Sequence, residues 1–112
     1  NRLSDGKGVK ENKQDEARIT DEERLFQATE WFEKGNGHYL NNEYEDALES
    51  YTSAIALNPN YADAYNNRGV AYGNKGQYYR AIEDYNRAIA LNPDLADAYN
   101  NRGGAYGQQR AI

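Results

Sequence analysis

Apolar and small residues recur along this chain at intervals of three and four rather than two. Tyr65, Gly69 and Tyr72 stand at i, i+4 and i+7, which is one face of a helix. A second stripe follows in Ala81, Ile82, Tyr85, Ala88, Ile89 and Leu91. Gly76-Gln77 separates the two stripes. Asn92-Pro93 closes the second, because proline disfavours helical geometry in the residue before it. The pattern predicts two antiparallel helices joined by a tight turn, with small residues such as Gly69 and Ala88 allowing close approach.

The whole pattern then repeats. Gly35, Gly69 and Gly103 are 34 residues apart, and so are Trp31, Tyr65 and Tyr99. The same step carries Tyr44 to Tyr78, Ala47 to Ala81, Tyr51 to Tyr85, Ala54 to Ala88 and Pro59 to Pro93. The stretch Tyr61-Ala62-Asp63-Ala64-Tyr65-Asn66-Asn67-Arg68-Gly69 returns as Leu95-Ala96-Asp97-Ala98-Tyr99-Asn100-Asn101-Arg102-Gly103. One fixed period over this many positions identifies a repeat array, each unit burying its apolar face against the next. Complete units span 28–61 and 62–95, and a shortened third covers 96–112.

Both ends depart from the period. Thr20-Asp21-Glu22-Glu23 reads as a capping box, so the first helix is expected to start near Asp21 and run past Gly35. Gly37, inside that helix, is expected to loosen it locally. Residues 1–19 carry mixed charges and few apolar side chains, and are expected to form a flexible tail outside the repeat domain of 20–112. At the other end, Tyr106 and Arg110 stand four apart where Tyr72 and Arg80 stand eight apart. The last helix is therefore expected either to act as a cap or to leave apolar surface exposed.

Composition narrows the classes of function. The chain has 112 residues, 38% of them hydrophobic, and its mean hydropathy is −1.12. No apolar run approaches the ~18 residues of a membrane span, so no membrane insertion is expected. The formal charge of −5 argues against nucleic acid, whose backbone calls for clustered cations. Cysteine is absent, which removes disulfides, thiolate nucleophiles and cysteine-ligated zinc. Methionine is absent too, and a chain starting at Asn1 is expected to be a processed product or an excised piece.

The period and its aromatic, glycine, alanine and proline positions, filled here by Tyr65, Gly69, Tyr72, Ala81, Tyr85, Ala88 and Pro93, resemble those of the tetratricopeptide repeat family. The position just before the glycine departs from the family's leucine, being Lys34, Arg68 and Arg102. The resemblance implies an all-α, right-handed α-solenoid of antiparallel helix pairs, about five helices in all. It also implies a concave groove lined by the first helix of each pair. In this chain that groove is expected to carry Phe32, Glu33, Asn36, Tyr39 and Leu40, then Asp63, Asn66, Asn67, Val70 and Asn74, then Asp97, Asn100, Asn101, Gly104 and Gln108.

One subgroup of the family holds the acidic C-terminal tail of chaperones through two asparagines, two lysines and an arginine. The asparagines match Asn36 and Asn67. The cationic places fall at Phe32, Asp97 and Asn101, so all three positive charges are missing and one is reversed. The chain is therefore expected to stand outside that subgroup, with a groove that is neutral to acidic.

Catalytic chemistry is scarce. His38 is the single histidine and falls near an aromatic place of the repeat, without an orienting partner legible in the sequence. Glu45-Asp46 and Glu83-Asp84 recur with the period and read as solvated helix faces. Asn60, Asp63, Asp94 and Asp97 put oxygens where the first helices begin, which helix capping and the helix dipole account for without a metal. No enzyme activity, metal or cofactor is expected. Asparagine amides such as Asn67 and Asn101 donate and accept at once, which suits an extended peptide backbone and equally suits bonds between neighbouring helices. Two functions follow: a module binding a neutral or basic protein or peptide segment in the groove, or an assembly element forming a homo-oligomer through Tyr99, Tyr106 and Ile112.

Overall fold

The computed structural model describes residues 18–111, and among them five helices and no strands. They are α1 (Asp21–Leu40), α2 (Tyr44–Leu57), α3 (Ala62–Asn74), α4 (Tyr78–Leu91) and α5 (Ala96–Ala111). Of the tail expected over residues 1–19, residues 1–17 lie outside the described residues, as does the contact assigned to Ile112.

α1 starts where the capping box places it. Thr20 is extended, and its hydroxyl accepts from the Glu23 amide at 3.1 Å. Asp21, Glu22 and Glu23 complement the positive end of the helix. The helix runs unbroken through Gly37, and the amide of Asn41 closes it on the carbonyls of Gly37 and His38. Asn42 (φ 62°) and Gly76 (φ 77°), one period apart, turn the chain within each pair. Both are residue types that tolerate this left-handed region.

The joints between units differ in detail from the expectation. Asn58 and Asn92, before the prolines, accept from the amides of Asn60 and Asp94 at 3.2 and 3.1 Å. Neither of these Asx turns reaches an amide of the helix that follows, and α3 begins after Tyr61 without a side-chain cap.

Each helix packs on the next, while α3 also touches α1 on one side and α5 on the other, forming an inner row. Alanines at the crossings, Ala28, Ala47, Ala54, Ala64, Ala71, Ala81, Ala88 and Ala98, are wholly buried. This is how a chain of such low hydropathy fills a core: little side chain is needed when backbones lie close. The close approach expected at Gly69 is to Tyr85 and the Ala81 backbone. A Cβ there would lie 2.6 Å from the Tyr85 ring and 3.1 Å from the Ala81 carbonyl, and Gly35 meets Tyr51 the same way. The tyrosine of each outer helix is seated on the glycine of its inner helix.

Asp84 departs most from the sequence reading. Glu45, Asp46 and Glu83 are exposed, but Asp84 is 5% exposed. Arg68 Nε and Nη2 donate to its two carboxylate oxygens, each at 2.8 Å, while Nη1 reaches Thr52 Oγ1 on α2 at 3.2 Å. Burial pushes the Asp84 carboxyl above its usual range and Arg68 draws it partly back. The hydrogen bond to Asp84 holds the Arg68 guanidinium charged. The departure from leucine at this position is thus an ion pair locking the second unit.

Candidate functional site

The inner row carries two hollows that meet at Val70. One, of about 300 Å³, is lined by Asn36, Tyr39, Leu40, Tyr51, Asn67 and Val70. The other, of about 370 Å³, is bounded by Val70, Asn74, Tyr78, Tyr85, Asn101, Gly104 and Gln108 among others. Residues of α1, α3 and α5 that the repeat spacing assigns to one surface are therefore brought together there.

Along this surface the asparagines form a relay. Asn101 Nδ2 donates to Asn66 Oδ1 at 3.1 Å, and Asn66 Nδ2 approaches Asn67 Oδ1 at 3.4 Å. Asn67 Nδ2 donates to Asn36 Oδ1 at 2.9 Å, and the Tyr51 hydroxyl donates to the same oxygen at 2.5 Å. The even ladder expected from the spacing is broken for a local reason. Asn67 finds an amide at Asn36, but one period later that place is Val70, so Asn101 turns to Asn66 instead. Asn66, expected on the groove surface, is only 6% exposed. One residue before Asn67 means a rotation of about 100° around the helix, which turns it into the α3–α5 contact. It supports the groove rather than facing a ligand. Asn100, its counterpart on α5, is exposed.

Two amide groups on the relay keep free valence among the described residues: the Asn36 nitrogen and the Asn101 oxygen. Asn74 donates to the Tyr39 hydroxyl at 3.1 Å and to the Val70 carbonyl at 2.9 Å, and so fixes the ring that walls the first hollow.

Phe32 is half-buried at the α1 end. Its ring centroid lies 4.9 Å from that of Tyr61 and 5.9 Å from that of Tyr51, so packing holds it at the groove's edge. Burial first, and then the Asp63 and Glu33 carboxylates, push the Tyr61 phenol above its usual value against the effect of a hydrogen bond with Thr29. An acidic lip therefore flanks the aromatic end. Glu33, Asp63 and Asp97 are all exposed. No lysine or arginine stands among the residues lining either hollow.

Tyr99 and Tyr106 lie away from the groove on α5 and are 43% and 41% exposed. His38 pairs with Glu43, its Nδ1 lying 2.9 Å from Oε1, and Asp46 stands close by. Glu43 stands at the end of the turn, directly before α2, a placement the helical spacing does not reveal. Among the described residues no helix is long and apolar enough to cross a membrane.

Comparison with known proteins bears on the same residues. The profile described as "Tetratricopeptide repeat" matches residues 62–95, and a second, "TPR repeat", matches residues 35–76. Hsp70-Hsp90 organizing protein 3 of Arabidopsis thaliana is 44% identical over 45 residues, 40% of this chain and 8% of that protein. The chain spans a tenth or less of the length of the curated relatives it matches. The Arabidopsis OM64 TPR domain superposes with a TM-score of 0.77 at 28% identity, over 79% of this chain and 73% of that one. The second TPR of Spaghetti (RPAP3), solved with the HSP90 peptide SRMEEVD, gives 0.75 at 32% identity, over 78% and 80%. Period, paired helices and these likenesses agree on the tetratricopeptide repeat family, to which the chain belongs.

Proposed function

We propose that this protein-interaction module, acting without a catalytic group or cofactor, holds an extended segment of a partner against its inner row, and that the segment is neutral or basic. The observation that carries the reading is the pair of hollows meeting at Val70, walled by the half-buried Tyr39 and Tyr78 and the buried Tyr51 and Tyr85, and bordered by the relay. An apolar side chain of the ligand fills each hollow. The free Asn36 nitrogen and Asn101 oxygen bond its backbone, one as donor and one as acceptor. The charge preference follows from Glu33, Asp63 and Asp97 along the rim. Where the chaperone-tail subgroup has cations, this chain has Phe32, Asp97 and Asn101, so a carboxylate-rich tail meets no counter-charge there.

The test is a titration with two peptides, SRMEEVD and a version with lysine in place of each acidic residue. Tighter binding of the basic peptide is expected, and tighter binding of the acidic one overturns the charge assignment. Replacing Asn67→Ala together with Asn101→Ala, with helicity checked by circular dichroism, is expected to weaken the basic peptide. Unchanged affinity removes the amides from the site.

A second reading, assembly through self-association, is favoured by the exposure of Tyr99 and Tyr106 on α5. Sedimentation at several concentrations checks it, and a strict monomer at high concentration removes it.

A further inference from the structure

Among the described residues, one group of side chains is placed so that ligand atoms from three of them could meet on a single cation: His38, Glu43 and Asp46. It lies at the turn between α1 and α2. A ring nitrogen of His38 and one carboxylate oxygen from each acid lie within 4.8 Å of one another. The backbone sets most of this arrangement. His38 stands in the last turn of α1, and its carbonyl accepts from the Glu43 amide at 2.9 Å, which brings the two side chains together across the turn. Glu43 caps α2, yet its carboxylate bonds no helix amide and meets His38 Nδ1 instead, at 2.9 Å. Asp46 follows three residues later, on the same side of the helix. A cleft of about 540 Å³ opens beside His38 and Asp46, with room for water on the remaining positions of an ion. Lys34, on the wall of that cleft, holds its ammonium over the Trp31 ring at 4.6 Å.

The second unit serves as an internal control. One period on, the three places are Tyr72, Gln77 and Arg80. The turn is the same there, the Gln77 amide donating to the Tyr72 carbonyl at 2.9 Å, while the Arg80 guanidinium lies over the Tyr72 ring at 5.8 Å. The fold of a unit therefore asks for no imidazole or carboxylate at any of these places, and the first unit has one at all three. We infer that His38, Glu43 and Asp46 form a structural site for a divalent first-row transition cation, with zinc as the type case, which ties the end of α1 to the start of α2. One imidazole and two carboxylates are a donor set that zinc accepts, whereas calcium and magnesium favour oxygen alone. Zinc holds nitrogen and oxygen ligands at about 2.0–2.2 Å, which puts neighbouring ligand atoms about 3.4 Å apart. Rotation of the exposed Glu43 and Asp46 side chains closes the present spacing to that value. The neutral ring then carries its proton on Nε2, and the Nδ1 lone pair goes to the metal in place of the contact with Glu43.

The probe is Zn²⁺ alone, titrated by calorimetry into the whole chain at neutral pH in a buffer free of phosphate and chelator. One saturable equivalent is expected, and excess Mg²⁺ is expected not to displace it. His38→Tyr and Glu43→Gln each install the residue of the second unit, and each is expected to weaken the site at least about tenfold, the lower end of what losing a residue that merely orients a ligand costs. Adding Asp46→Arg to both is expected to remove it. The second unit folds with these three residues, so helicity is expected to stay, and circular dichroism checks it. Should the triple variant lose helicity, Glu43→Gln, a change on an exposed side chain, decides alone. With Co²⁺ in place of zinc, visible absorption is expected to develop on binding and to be lost in His38→Tyr. Asn67→Ala in the groove is expected to leave the titration unchanged, and no peptide enters it, so its outcome and that of the groove reading are told apart. The inference is overturned if no saturable equivalent of Zn²⁺ binds. It is also overturned if His38→Tyr or Glu43→Gln binds the ion as tightly as the unaltered chain.

Discussion

The same substitution one period apart is expected to change stability in opposite directions. Gly69 and Gly103 occupy equivalent places in helices α3 and α5, and alanine is the better helix former at either by about 1 kcal/mol. At Gly103 the new methyl meets nothing within 4 Å, so this gain is expected to appear whole. At Gly69 the methyl lies 2.6 Å from Tyr85 Cε1 and 3.1 Å from the Ala81 carbonyl, where ordinary contact begins at 3.4 Å. The ring must retreat by roughly 0.8 Å in an interior packed too densely to yield freely. Tyr85 is buried and the carbonyl belongs to a helix, so neither moves cheaply. Overpacking of this kind costs about 1–3 kcal/mol, and the upper half of that range applies here. Net of the helix term, Gly69→Ala is expected to lose about 1–2 kcal/mol. The difference between the two variants isolates the packing term, because propensity cancels. Urea unfolding followed at 222 nm measures both, and each kcal/mol corresponds to about 4–8 °C in Tm for a domain of this size. If Gly69→Ala stabilises as much as Gly103→Ala, Tyr85 is not seated on that glycine and the packing argument fails.

Asp84→Ala strands Arg68 beside the core, and breaking a buried pair in this way costs about 3–5 kcal/mol. The lower end is expected because Arg68 keeps partial access to water. Chemical denaturation reads the loss, and a value under about 1 kcal/mol would show the pair to be a surface bridge in effect. Burial raises the Tyr51 and Tyr85 phenols to about 12 from the usual 10.0. Because the folded values are the higher ones, their contribution to stability is intact below pH 10 and is lost as pH climbs from 10 towards 12. An ultraviolet titration is expected to show two phenols ionising late, together with unfolding. Uniform ionisation near pH 10 with the helices intact would contradict the burial.

The fold was legible because the information in a repeat is redundant. Gly35 and Gly69, Tyr51 and Tyr85, and Pro59 and Pro93 each state the same packing twice, and Thr20 marks the helix start by its own hydroxyl. What escaped the sequence reading is what the units do not share. Asp84 sits beside Glu83 and resembles any solvated carboxylate, while its counterpart in the first unit is Ser50 and the counterpart of Arg68 is Lys34. A pair formed once leaves no periodic trace. The relay shows the same limit. Asn66 and Asn67 are adjacent and chemically identical, yet only the second belongs to the groove surface, and Val70 in place of an asparagine re-routes Asn101. Such choices depend on the neighbour across the helix, which the period alone does not specify.

The relay from Asn101 to Asn36 has one more consequence. Hydrogen bonds have a narrow range of length, unlike contacts between hydrocarbon side chains, so amides bridging α1, α3 and α5 act as spacers that hold the bend of the solenoid at one curvature. A scaffold gauged in this way does not widen to suit its guest. Under the function proposed above it selects segments whose shape already matches, with little ordering of its own left to oppose their binding.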